Sequence, residues 1–235
     1  MKVLRFFGKA AAALVVSVAL MLVVPAVLHA QDEDGADAKK WFGLIAAGRA
    51  DDVAAMIDDG FDINATMRDM GCGLHCAVET GRDAVLELLT SRGADLNVRD
   101  GRNLAPLHLA AVKNRAEACR ILLDAGCDVN ITGFTSPDGS AESTPLHLAA
   151  ESGARDAVEL LISRGANVNA VNNFQRTPLF WARKAGKTDV AELLAAHGAV
   201  ADPSEIPTAS STAETVEQPA SRSEEHTSEL QSHHP

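Results

Sequence analysis

Three histidines and four cysteines are the side chains here best able to do chemistry. His75, His108 and His147 recur at intervals of 33 and 39 residues. An imidazole set of that kind suggests zinc. However, equivalent positions of stacked helical units lie about 10 Å apart, while zinc holds its ligands at about 2 Å. Cys72, Cys76, Cys119 and Cys127 fall close together in the chain. In an oxidising compartment they are candidates for at least one disulfide, and four cysteines allow three pairings between which sequence does not choose. The competing role for Cys119 and Cys127 is as small core residues in slots filled elsewhere by Val or Ala. With no CxxC pair, neither a structural zinc site nor a thioredoxin-type centre is expected. The chain also lacks GxSxG, a phosphate loop ending in Lys-Ser/Thr, and HExxH. It therefore reads as a non-enzyme without metal or cofactor.

The elements that would position these residues are legible in Ser143–Asn169, STPLHLAAESGARDAVELLISRGANVN. Thr144 is a helix cap and Pro145 sits at the first helical position, where its missing N–H is no loss. Leu146, Leu148, Ala149 and Ala150 give that helix an apolar face, and Gly153 suits its left-handed end. A second helix follows through Ala157, Val158, Leu160, Leu161 and Ile162 to Gly165. Two helices this short cannot bury their apolar faces alone, so the unit needs neighbours. The neighbours are present: the closing glycine returns at Gly60, Gly93, Gly126, Gly165 and Gly198. Asn64, Asn97, Asn130 and Asn169 each follow it by four residues, with Asp202 in the last copy. The inner turn carries Gly48, Gly81, Gly153 and Gly186, with Asn114 in the third copy as the next most tolerant of a left-handed conformation.

A 33-residue period with TPLH and GANVN phrases resembles the ankyrin repeat, over residues 39–202. The resemblance implies an all-α solenoid of about five helix-turn-helix repeats joined by short β-hairpin-like fingers. They fall at residues 39–65, 66–98, 99–131, 132–170 and 171–202. It further implies that the three histidines hydrogen-bond backbone to tie neighbouring units together. Terminal repeats need a polar outer face. The first repeat departs from the pattern with Trp41-Phe42 for Leu-His and with Asp51, Asp52, Asp58 and Asp59 in its second helix. The fifth departs with Phe180-Trp181 for His-Leu. In repeat two, Cys72-Gly73 replaces Thr-Pro, which predicts a weak helix start worth about 1 kcal/mol.

The resemblance also implies a concave binding face of fingers and first helices. Its candidate partner-binding residues are Arg68, Met70, Arg99, Arg102, Asn103, Val112, Lys113, Phe134, Glu151, Asn173, Phe174 and Arg176. Glu79, Thr80, Ser152, Lys184 and Ala185 share the helix register of Val112, Lys113 and Glu151. The finger before repeat four, ITGFTSPDGSAES, has six extra residues with Phe134 and a Pro137-Asp138-Gly139 turn signal. Insertions of this kind map to one face of a solenoid, often the binding face. The expected function is a monomeric interaction module or scaffold for a protein partner. A secreted effector acting on host proteins is the first alternative; a redox- or metal-linked periplasmic protein using its cysteines is the second.

Residues 1–30 read as a signal peptide: Lys2, Arg5 and Lys9 precede an apolar run from Ala10 to Val24, and Leu28-His29-Ala30 offers a cleavage site. This style of bacterial export predicts a periplasmic or secreted chain, or one anchored in the membrane if the segment is retained. Residues 31–38 read as an acidic linker and 203–221 as a disordered tail rich in Ser, Thr, Ala and Glu. Residues 222–235 begin RSEEHTSELQSH, which resembles the in-frame translation of a short-read sequencing adapter, so they are excluded from fold reasoning. The chain carries a formal charge of −11, and residues 31–221 carry −12. An acidic domain without a basic stripe is a poor partner for nucleic acid or an anionic membrane.

Overall fold

The computed structural model describes residues 35–67, 71–134 (Phe134 by its backbone) and 142–201. The signal-peptide, tail and adapter expectations lie outside them. So do Arg68, Met70, Asp202 and the 137–139 turn signal.

Ten helices form two layers among the described residues. The first layer holds α1 (residues 35–47), α3 (Gly73–Thr80), α5 (Pro106–Val112), α7 (Pro145–Ser152) and α9 (Pro178–Lys184). The second holds α2 (Ala50–Asp58), α4 (Asp83–Ser91), α6 (Ala116–Asp124), α8 (Arg155–Ser163) and α10 (Thr188–Ala196). From α3 onward each helix packs on its own repeat partner and on its equivalent in a neighbouring repeat, as α5 does on α7 and α6 on α8. The shared core runs the length of the stack through fully buried Leu74, Leu107, Leu146 and Leu179 in the first layer. Leu86, Leu122, Leu161 and Leu194 do the same in the second. Residues 35–38, the first described, are already helical as part of α1, where the sequence suggests linker. Ala36 and Ala38 are strong helix formers, and Asp37 suits a first turn.

The left-handed turn inside each repeat is observed at all five positions, with φ from 53° at Asn114 to 79° at Gly153. What sits above each turn explains the residue there. Arg82, Arg115 and Lys187 occupy the N-cap positions of α4, α6 and α10. A cation is unfavourable at that end of a helix dipole. The long stems instead reach back over the preceding repeat, where a Cβ on Gly48, Gly81 or Gly153 would run into them. Arg82 Nε donates to the Ala46 carbonyl at 2.9 Å. Repeat four has Ala154 at this position, and Asn114 fills the gap. Its Oδ1 accepts from Ala157 N and its Nδ2 donates to Asp156, so it caps α8 from the repeat below. At the last described repeat Gly186 has no such cover among the described residues and borders an open cleft of about 330 Å³ with Arg183 and Lys187.

The second layer is laced by ion pairs between repeats: Arg92 with Asp58 at 2.6 Å, Arg120 with Glu87 at 3.7 Å, and Arg164 with Asp124 at 2.6 Å. The recurring Asn side chains add a parallel ladder. Asn64, Asn130 and Asn169 accept from Asp95 N, Asn167 N and Val200 N of the following repeat.

The start of repeat two, where the hydroxyl cap and Pro are missing, is built around His75 and Trp41. Cys72 holds the extended conformation of a cap, and its N–H and thiol both lie 3.3 Å from His75 Nδ1. Gly73 stands where Pro stands in later repeats because Trp41, one layer below, is larger than the leucines in its register. A Cβ on Gly73 would come within 3.0 Å of Ile45 and 3.2 Å of the Trp41 indole. The aromatic pair of repeat one is thus core, with Trp41 0% and Phe42 4% exposed. The polar surface of that repeat comes from its charged side chains, Asp51, Asp58 and Asp59 with Lys39, Lys40 and Arg49, all exposed.

Candidate functional site

The fingers are built in two ways. Thr66–Met67 (β1) pairs antiparallel with Gly71–Cys72 (β2), and Gly133–Phe134 (β3) with Glu142–Ser143 (β4). The other two fingers are tight turns centred on one side chain each. Asp100 Oδ1 accepts from Arg102 N and Leu104 N, both at 2.9 Å. Asn172 Oδ1 accepts from Phe174 N and Arg176 N, both at 3.0 Å. Asn103 and Gln175 take the left-handed position of these turns, with φ of 60° and 55°.

The histidines hold each finger to the helix behind it. Nε2 of His75, His108 and His147 lies 2.8, 3.1 and 3.0 Å from the carbonyl oxygens of Leu104, Ser143 and Arg176. A carbonyl only accepts, so Nε2 carries the proton and Nδ1 is the acceptor. Nδ1 takes the N–H of Cys72, Ala105 and Thr144. In repeat four it also takes the Thr144 hydroxyl at 2.8 Å. Both nitrogens of every ring are therefore committed to backbone, which leaves no lone pair for a metal. Burial pushes the pKa of His108 and His147 down to about 4 and lowers that of His75, so the rings are neutral near pH 7. Phe180 cannot make this tie, and the Thr177 hydroxyl instead donates to the Val200 carbonyl at 2.6 Å.

The cysteines are four buried free thiols; the candidate disulfide is not formed in this structure. Cys72 caps α3 against His75, and Cys76 Sγ points at the Phe42 carbonyl at 3.7 Å. Cys119 is wholly enclosed in the core. Desolvation raises all four pKa values, Cys119 to about 12 and Cys127 to about 11, so reactive thiolate is scarce.

The candidate partner-binding residues separate into two kinds. Several belong to the scaffold. Arg102 lies on the buried Asp100 carboxylate, with Nε and Nη2 at 3.0 and 2.8 Å. Asn103 is a turn residue, Arg99 is half-buried with Nη1 enclosed, and Val112 is half-buried. Lys113 bridges repeats to Glu79 at 2.6 Å. Asn173 Oδ1 accepts from Glu142 N and so joins the last two fingers. Others face solvent: Glu151 is exposed, Phe174 is 47% exposed, and Arg176 is exposed with its guanidinium 4.5 Å over the Phe180 ring. Phe134 is placed by its backbone in β3. Sequence reasoning missed Val171, 44% exposed, because a lone β-branched residue beside Asn172 carries no period. It also passed over Trp181, whose ring lies 4.5 Å beneath Lys184 Nζ.

Comparison with known proteins matches this geometry. A family model described as ankyrin repeats (3 copies) covers residues 42–133 and 132–205. Mouse protein phosphatase 1 regulatory subunit 12A is 44% identical over 75 residues, 31% of this chain and 7% of that protein. Human transient receptor potential cation channel subfamily A member 1 is 37% identical over 78 residues, 32% of this chain and 7% of that protein. A putative ankyrin repeat protein of fowlpox virus, FPV219, is 40% identical over 58 residues, 25% of this chain and 13% of that protein. The chain thus spans only a small part of each of these relatives. It belongs to the ankyrin-repeat family.

Proposed function

We propose that this chain is a non-enzymatic interaction module that binds a protein partner through its fingers and first helices. The observation that carries the reading is the division of labour among polar groups. The histidine rings, the Asn ladder and the Oδ1 atoms of Asp100 and Asn172 all hydrogen-bond to backbone. The exposed side chains between them, Val171, Phe174, Arg176 and Glu151, are left to vary without affecting the stack. A rigid scaffold carrying exposed aromatic and Arg side chains on loops is what interface hot spots favour. The apolar N-terminal run supports export of the chain, which would place the partner in the periplasm or outside the cell. Intact-mass measurement of exported protein should show a chain beginning at Gln31; a retained Met1 would point to membrane anchoring.

The functional test is capture of a partner from the native compartment with the full chain, repeated with variants. Phe174→Ala should keep the melting temperature, since exposed substitutions shift stability by about 0.5 kcal/mol or less. It should weaken capture about tenfold or more. Normal capture by both Phe174→Ala and Glu151→Ala would move the interface away from this face.

A further inference from the structure

The finger and first helix of the fifth repeat carry only positive charge, beside exposed apolar surface. From Val171 to Thr188 the chain has four cations, Arg176, Arg183, Lys184 and Lys187, and no Asp or Glu, although its net charge is −11. Arg92, Arg102, Lys113, Arg120, Arg155 and Arg164 each face a carboxylate. Among the described residues, none of the four cations of repeat five has a carboxylate partner. Two of them lie on aromatic faces instead: Arg176 over Phe180 and Lys184 Nζ over Trp181, each 4.5 Å from the ring centroid. The rings meet edge to face at 5.8 Å. The result is an unbroken strip running cation, aromatic, aromatic, cation. The finger leading into it holds Val171 and Phe174, the two large hydrophobic side chains exposed among the described residues.

A lid over the last repeat would explain why Arg176 and Lys184 cover the rings. It would not explain why Val171 and Phe174 stand in solvent, nor why none of these cations pairs with a carboxylate among the described residues. Within the reading of the chain as a protein-binding module, we infer that this face docks an acidic segment of the partner that carries an apolar anchor. Its carboxylates would lie on the Arg176 and Lys184 heads, already held in place by the rings beneath them. Its anchor would cover Val171 and Phe174. Charge complementarity of this kind fixes register and speeds encounter, while the buried apolar contact supplies affinity.

The test is selection of a random peptide library on the immobilised full chain, followed by anisotropy measurements on labelled winners. Winners should be rich in Asp and Glu beside Leu, Ile or Phe, and their affinity should fall as salt rises. Phe174→Ala and Lys184→Glu should each weaken binding tenfold or more with an unchanged melting temperature; Lys113→Glu should not weaken it. Basic or uncharged winners, or no winners, would overturn the inference. Winners sensitive to Lys113→Glu but not to Lys184→Glu would overturn it while keeping the general reading; insensitivity to all three would remove both. Asp202→Asn with Glu205→Gln in the full chain should leave affinity unchanged. A tenfold gain there would assign the face to the chain's own C-terminal segment and overturn docking of a partner.

Discussion

His108 illustrates how one side chain fixes a repeat to its neighbour. It is fully buried, donates to Ser143 and accepts from Ala105 N, and so must stay neutral. Its folded pKa of about 4, like that of His147, lies below the value of about 6.5 expected in the unfolded chain. The unfolded chain therefore takes up protons first as pH falls. The contribution of each ring is complete above about pH 6.5 and is lost on acidification towards pH 4, at most about 3 kcal/mol per ring. Denaturant melts should show stability falling between pH 7 and pH 5, with a smaller fall in His108→Gln; equal falls would contradict the assignment. The register of the histidines made their role readable from sequence once the repeat was recognised. Arg102 was not readable in the same way, because a loop arginine gives no sign that it lies on a buried carboxylate. Arg102→Ala should cost about 1–3 kcal/mol by stripping Asp100 of its charge partner, and should do so with or without a binding partner present. An unchanged melting temperature would show that Asp100 is served by backbone N–H groups alone.

At the scale of helices and turns, the pattern of Gly, Asn, Thr-Pro and Leu-His specified nearly every element and its ends. It did so because each signal meets a local requirement, such as a cap or a left-handed φ, and repetition makes the requirement visible. What stayed hidden depends on contacts between repeats. Gly73 resembles a defect until the Trp41 indole is seen 3.2 Å from where its Cβ would be. Restoring the consensus with Gly73→Pro should therefore destabilise the domain, by about 1–3 kcal/mol for an overpacked core. Combining it with Trp41→Leu should recover part of that loss, giving a coupling of about 0.5–3 kcal/mol in a double-mutant cycle. Additive effects would separate the two sites. The cysteines were ambiguous for a similar reason: spacing alone does not reveal that Cys72 acts as a cap through His75.

Across the whole molecule, stability is shared between neighbouring repeats through histidine ties, the Asn ladder and paired charges, as expected of a stack in which each unit contacts only its neighbours. The order of the stack also decides what is left for binding. Polar groups on the second-layer helices are largely engaged with one another, whereas the fingers and first-helix ends keep Val171, Phe174 and Arg176 in solvent. Amide hydrogen exchange of the full chain with and without its captured partner tests this directly. Slowed exchange is expected in the finger segment 171–176 and at the ends of α7 and α9, with α4, α6 and α8 unchanged. Protection confined to α4, α6 and α8, with the fingers exchanging as in the free chain, would contradict it.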